Sequence, residues 1–281
     1  MRAKKFGGMV FVFGMFGTLS SARAVSSPSG TTSEPVPIQQ MAQGQALTGS
    51  TLLNDSLYAN PAASAFTSAY SVDGTFFFPR AMAVSVLDTK TSSVGGALGY
   101  FRLPTDTSTS QFTQGAKGAL FGRMSSLLGV GVAGKLIWGP PTLGPDHKMT
   151  DFDTGMIMNL NPMQLGFTVR NLFGGNQALE EKREWSLGAQ WNYDQQIFVS
   201  FASNSYWTNI KPYQYGVGLQ YVSPYYFAIK GGYRLLPTDH LSFWSAGASF
   251  ISPRLSIHYS AEFPVQSGQS VAHVIGTTLL L

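Results

Sequence analysis

The chain has no cysteine among its 281 residues. Disulfides and thiolate metal sites are therefore excluded. Charge is scarce too: Asp, Glu, Lys and Arg make up 11% of the sequence, against about 25% in ordinary globular proteins. Past the N-terminus no run of 18 apolar residues occurs, which argues against membrane-spanning helices. The net charge of +4 is spread thinly, without the basic run or basic-aromatic stripe of a nucleic-acid binder. No G-x-x-x-x-G-K-[ST] loop and no G-x-S-x-G elbow is present. These absences leave few places for phosphate or covalent chemistry, and we expect no cofactor, no metal and no catalytic centre.

What is abundant is alternation. Trp185, Leu187, Ala189, Trp191 and Tyr193 alternate with Ser186, Gly188, Gln190 and Asn192. Tyr215, Val217, Leu219 and Tyr221 alternate with Gly216, Gly218 and Gln220, and Ile257, Tyr259, Ala261 and Phe263 alternate with His258, Ser260 and Glu262. Period two is the mark of β-strands with one apolar face and one small or polar face. A soluble sandwich and a lipid-facing barrel both produce it. Other features separate them. Arg2, Lys4 and Lys5, the apolar stretch 6–19 and Ala22-Arg23-Ala24 read as a signal peptide over 1–24. From 68 to 281 fourteen candidate strands follow, among them 163–173, 184–193, 196–204 and 254–263. Tight turns such as Asp194-Gln195 and Ser252-Pro253 alternate with longer connections such as 139–149, 174–183 and 203–211. Outer-membrane barrels sort loop length by end in this way, and they have even strand numbers. Gly276, Leu279 and Leu281 fit the terminal-strand signal read by the barrel-assembly machinery.

The sequence therefore predicts an all-β chain: a transmembrane antiparallel up-and-down β-barrel of about 14 strands over 67–281. A segment over 25–66, its first part loosely packed and its last part hatch-like, would precede it. Trp138, Trp185, Trp191, Tyr193, Tyr213, Tyr221, Tyr225, Tyr226 and Trp244 suit aromatic girdles at the two bilayer interfaces. Parity turns Trp185, Tyr215 and Ile257 towards lipid. It turns Lys135, Arg170, Lys230, Arg234, His258 and Glu262, with Asp153, into the lumen. Those charges either pair with one another and fill the space, or select solutes or hold an N-terminal plug. His258-x-Ser260 is similar to a pair in outer-membrane lipid hydrolases. Its inward parity, away from lipid, favours plain lumen lining. His147, His240 and His273 lack metal-ligand spacing.

Two stretches resemble a known family. LNDSLYANPAASAF (53–66) resembles the Asn-Pro-Ala segment that precedes the first strand in long-chain fatty-acid transporter (FadL) and PorV-like outer-membrane proteins. MQLGFTVRNLFGG (163–175) is similar to a strand of the PorV-like members. The resemblance implies that Asn60, Pro61 and Ala62 belong to a hatch inside the barrel. It also implies passive transport of small hydrophobic or amphipathic compounds across the outer membrane or, alternatively, a non-transporting barrel that docks secreted or surface proteins. The expected surroundings are outer-membrane lipid and lipopolysaccharide, with a hydrophobic small molecule as ligand.

Overall fold

Each alternating run becomes a strand, and the strands close on themselves. The computed structural model describes residues 34–104, 111–140, 147–176, 179, 181–266 and 270–281; the expected signal peptide and residues 25–33 lie outside them. Two short helices come first, α1 (Ile38–Ala42) and α2 (Ser56–Ala59). Then follow β1 (Tyr70–Phe77), β2 (Ala81–Asp88), β3 (Val94–Pro104), β4 (Phe112–Arg123) and β5 (Leu128–Trp138). The middle of the chain forms β6 (Lys148–Asn159), β7 (Met163–Asn176), β8 (Glu181–Tyr193), β9 (Ile197–Tyr206) and β10 (Gln214–Val222). The last four are β11 (Phe227–Leu236), β12 (Leu241–Ile251), β13 (Leu255–Pro264) and β14 (Ala272–Leu280). Every strand pairs antiparallel with its sequence neighbour, and β14 returns to β1, from Ser71↔Leu280 to Phe77↔Val274. Closure leaves no edge with unpaired backbone groups, which is the condition for a sheet in hydrocarbon.

The faces follow parity. Val84, Leu98, Leu120, Val132, Leu187, Val217, Ile229, Trp244, Ile257 and Ile275 are exposed on the outside. Ser85, Ser186, Gln190, Lys230, Ser245 and Glu262 are buried inside. A continuous apolar exterior of this extent, with a polar interior, is what a bilayer requires of a barrel.

Two expectations need correction. Residues 174–183 do not form a long loop, because β7 runs to Asn176 and β8 starts at Glu181. Likewise, β9 consumes part of 203–211, running to Tyr206. In the first case the chain carries a large bulge instead of a loop. The β7–β8 register jumps between Arg170↔Glu184 and Gly175↔Lys182, with Asn171, Gly174 and Gly175 at positive φ. The β6–β7 ladder meanwhile stops at Thr154↔Val169. Beyond it carboxylates stand in for backbone partners: Asp153 accepts the Asn171 N–H at 3.0 Å, and Asp151 accepts those of Phe173 and Gly175, each at 3.0 Å. Polar, Gly-containing sequence reads as loop, but here it satisfies the wall through side chains.

Candidate functional site

The lumen is occupied by the chain's own N-terminal segment. Its Ser, Thr, Gln and Gly composition reads as loose packing, yet residues 34–52 are almost wholly buried. α1 packs on β11, β12, β13 and β14, and α2 on β3 and β4. Between them the main chain is pressed directly on the main chain of the wall. A Cβ on Gly188 would lie 2.6 Å from the Gly49 nitrogen. One on Gly166 would overlap the Thr48 carbonyl oxygen. The same closeness recurs at Gly131 under Pro61, at Gly155 under Asn60, and at Gly216 and Gly232 against Gly44. Inward-facing glycines thus form a belt that receives the segment's backbone, a use of strand glycine that close approach explains. Sequence parity places these glycines on the lumen side, but nothing in it reveals what they touch.

Polar side chains flank the belt and complete the segment's hydrogen bonds. Gln164 accepts the Thr51 N–H at 3.1 Å and donates to Thr51 Oγ1 at 2.9 Å. Gln43 donates to Gln220 at 3.0 Å, Gln214 to Gln45 at 3.0 Å, and the Gly44 N–H to Ser245 Oγ at 3.0 Å. Asn54 bridges Ser85 and Ser71. The glutamine and serine of the lumen rows thus pair with the segment's polar side chains and with two of its backbone N–H groups, those of Gly44 and Thr51.

Asn60, Pro61 and Ala62 sit within this belt. Asn60 Nδ2 donates to the Thr48 carbonyl at 2.9 Å and to the Met156 carbonyl of β6 at 3.2 Å, while its Oδ1 accepts the Ala62 N–H at 3.0 Å. One side chain thus ties two turns of the segment to each other and to the wall. Asn60→Ala removes all three bonds and leaves two carbonyls and one N–H buried. At about 1 kcal/mol per lost bond, more where a group stays unsatisfied, we expect loosening by about 3 kcal/mol. Limited proteolysis of the folded protein in detergent checks this: cleavage within residues 34–66 accelerates while the barrel stays intact.

The charges fall into four groups. Lys135 joins Lys117, Glu34 and Asp153 in a buried quartet: Lys117 to Glu34 at 2.6 Å, Lys135 to Asp153 at 3.1 Å, with Lys135–Glu34 and Lys117–Asp153 closing it. Burial pushes the Glu34 carboxyl up, but the two ammoniums outweigh that and hold it below the usual carboxylate range. Arg170 pairs with Glu184 at 3.0 Å and donates to the Ala59 carbonyl at 3.3 Å. Arg234 and Glu262 form a two-pronged pair at 3.0 and 2.8 Å. Lys230 donates to Gln39 at 3.2 Å and to Ser249 Oγ at 3.0 Å, and Ser249 Oγ lies 2.8 Å from His258 Nδ1. The structure thus brings Arg234 to Glu262, and Lys230 to His258 through Ser249. It does not bring Lys135 or Arg170 to any of these. His258 has Ser249 across the β12–β13 ladder as its hydroxyl partner, not Ser260. The Ser260 Oγ is buried without a partner. Among the described residues no group of His, Asp and Glu has the arrangement of a metal site. Sequence reasoning missed Lys117, Glu34, Glu184 and Asp151. Lys117 is the cross-strand neighbour of Lys135, a register that the sequence does not give.

Beside these charges, the β2–β6 side of the lumen carries an apolar cluster. Phe101, Leu103, Ile137 and Met149 line it above Leu57 and Tyr58, with Leu87 and Phe121 below. At the rim that bears the 78–80 turn, a cleft of about 520 Å³, open mouth included, lies among Pro35, Val36, Phe77, Leu103, Pro104 and Val274, with Glu34 in its lining.

No family model and no curated protein matches the sequence. Solved structures match the fold. The toluene transporter TbuX of Ralstonia pickettii superposes with a TM-score of 0.64 over 86% of this chain and 97% of that one, at 11% identity. The toluene transporter TodX of Pseudomonas putida gives 0.65 over 86% and 97%, also at 11% identity. A FadL homologue of Pseudomonas aeruginosa gives 0.52 over 89% and 97%, at 12% identity. The chain shares the closed-barrel fold of these structures.

Proposed function

We infer that the protein sits in the outer membrane and passes small hydrophobic or amphipathic compounds passively, with residues 34–66 as a plug that must shift for a solute to cross. The observation that carries this reading is the filled lumen: a closed fourteen-strand wall with an apolar exterior, occupied by a segment held through hydrogen bonds and ion pairs rather than covalently. The described toluene transporters share the fold, which supports hydrophobic cargo. Diffusion through a rearranged plug needs no nucleotide and no bond making. The surrounding lipid and lipopolysaccharide, and delivery by the barrel-assembly machinery, belong to the same reading.

The test is uptake. Proteoliposomes containing the full chain take up labelled toluene faster than empty vesicles, and removal of residues 25–62 makes them leak small polar solutes as well. Uptake equal to that of empty vesicles, together with a stoichiometric protein partner on purification, would replace transport with docking.

The plug carries its own pH dependence. Asp55 accepts the Gln39 N–H at 3.1 Å. Burial first, then the neighbouring Asp73 carboxylate, push its pKa from 3.8 up to about 7, against the Gln39 N–H and Lys230. A raised acid binds its proton more tightly in the docked state, so docking is favoured below 3.8 and loses that support as pH rises through about 7. Solute leakage through the wild-type barrel is therefore greater at pH 8 than at pH 5. Asp55→Asn flattens the profile in the same leakage assay.

A further inference from the structure

The outer, lipid-facing surface of β2–β6 is not smooth. A groove of about 1310 Å³, its open side included, passes over Gly118 and Gly134, between Val84 and Leu98 on one side and Leu136 and Phe152 on the other. Register makes it. Leu98, Gly118, Gly134 and Phe152 form one row across β3, β4, β5 and β6, so the two glycines stand side by side between two large side chains. Two outward rows nearer the rim, the same register sets Arg102, Gln114, Trp138 and Lys148 in line. This end of the barrel carries the 105–111 and 139–147 connections, while the start of β1 and the end of β14 lie with the tight turns at the other end. By the sorting of loop lengths, the rim is the external one and the groove lies in the outer leaflet.

The rim row carries two cations. Among the described residues neither Arg102 nor Lys148 makes an ion pair. The Arg102 guanidinium lies over the Phe112 ring, 3.7 Å from its centre, and its Nε is buried without a hydrogen-bond partner. Stacking of this kind fixes the guanidinium plane and leaves its N–H edge for an oxyanion. Lys148 and Trp138 are exposed, and Gln114 accepts the Tyr100 hydroxyl at 2.7 Å, which fixes the middle of the row. Neighbouring strands stand about 4.8 Å apart, so three steps separate the two cations by about 14 Å along the row. That span suits two phosphates at the two ends of a disaccharide.

We propose that β2–β6 hold one molecule of lipopolysaccharide by its lipid A part. One acyl chain lies in the groove over Gly118 and Gly134. One phosphate meets Arg102, the other meets Lys148, and the sugar between them rests against Trp138. The groove supplies apolar contact area, and the two cations supply a charge complementarity that general lipid contact lacks. No bond is made or broken. The site is on the outer wall, away from the plug; it goes beyond the transport reading and depends only on the outer-membrane location.

Titration of the full chain in detergent with purified lipid A, followed by native mass spectrometry, tests it. Monophosphoryl lipid A and phosphatidylglycerol are the comparison lipids. The barrel should retain one lipid A, and both comparison lipids should bind more weakly. Arg102→Gln and Lys148→Gln should each weaken lipid A binding about tenfold, as loss of a charge-assisted contact does. Gly118→Leu with Gly134→Leu fills the groove and should weaken it with both cations still present. Heat-modifiable gel migration reports whether each variant is folded, and the comparison of lipids on the wild type stands without them. Phosphatidylglycerol bound as tightly as lipid A, or lipid A bound as tightly by the folded Arg102→Gln, Lys148→Gln double variant as by wild type, overturns the site.

Discussion

Gly166→Val combined with Gly188→Val turns a filled barrel into an open one. Both glycines lie under Thr48 and Gly49, and at both the obstacle to a side chain is backbone, which cannot rotate away. Overpacking of this kind costs about 1–3 kcal/mol per site. Because the ladders of β7 and β8 are continuous around Gly166 and Gly188, the strain falls on the weaker partner, the N-terminal segment. At 1–3 kcal/mol each, the open-to-filled ratio rises roughly 5–150-fold per substitution. Single-channel recording in planar bilayers reads this directly: long-lived open levels replace brief ones. Gly74 is the control, since nothing lies within 4 Å of an added Cβ there, and Gly74→Ala should record like wild type. Equal traces for all three proteins would show that the segment does not obstruct the lumen.

Glu262→Ala should be the most destabilising single change in the wall. Arg234 has no exposed surface. Its guanidinium is held by both Glu262 oxygens and by the face of Phe243, with the ring centre 4.2 Å away. Losing the carboxylate takes the two-pronged counter-charge from a fully buried cation, a change worth about 3–5 kcal/mol. Replacing both partners with apolar groups of similar volume, Arg234→Met with Glu262→Leu, should restore most of the loss, since the pair itself contributes little net stability. Urea unfolding followed by heat-modifiable migration measures the order: wild type and double variant close together, single variant well below. A single variant as stable as wild type would mean that water reaches Arg234.

Most of the wall was legible because period-two alternation depends only on which side faces lipid. Trp185, Tyr215 and Ile257 are outside, and Gln190, Lys230 and Glu262 are inside, as parity requires. Strand ends were legible where Pro, Asn or Asp marks a turn, as at Asp194-Gln195, and illegible around 171–183. There the bulge keeps the chain in the sheet by using the Asp151 and Asp153 side chains. The lumen was legible only in part. Arg170, Lys230 and Arg234 stand out as lone charges in alternating runs. Glu34 stands in a stretch with no periodicity, so neither its burial nor its two lysine partners could be read from spacing. Lys117 belongs to a strand whose two faces differ little, with Gly115, Ala116, Gly118 and Ala119 around it.

The placement of α1 bears on how the barrel is made. Residues near the start of the chain touch residues near its end: Gln39 meets Lys230, 191 positions later, and Gly44 meets Ser245, 201 positions later. Contacts of such separation form late and slowly. Backbone pressed on backbone at Gly49 and Gly188 ties the same segment to another part of the wall. The segment therefore works as a cross-brace: it joins β8, β11 and β12 through the lumen, and only a closed wall offers it all three partners at once.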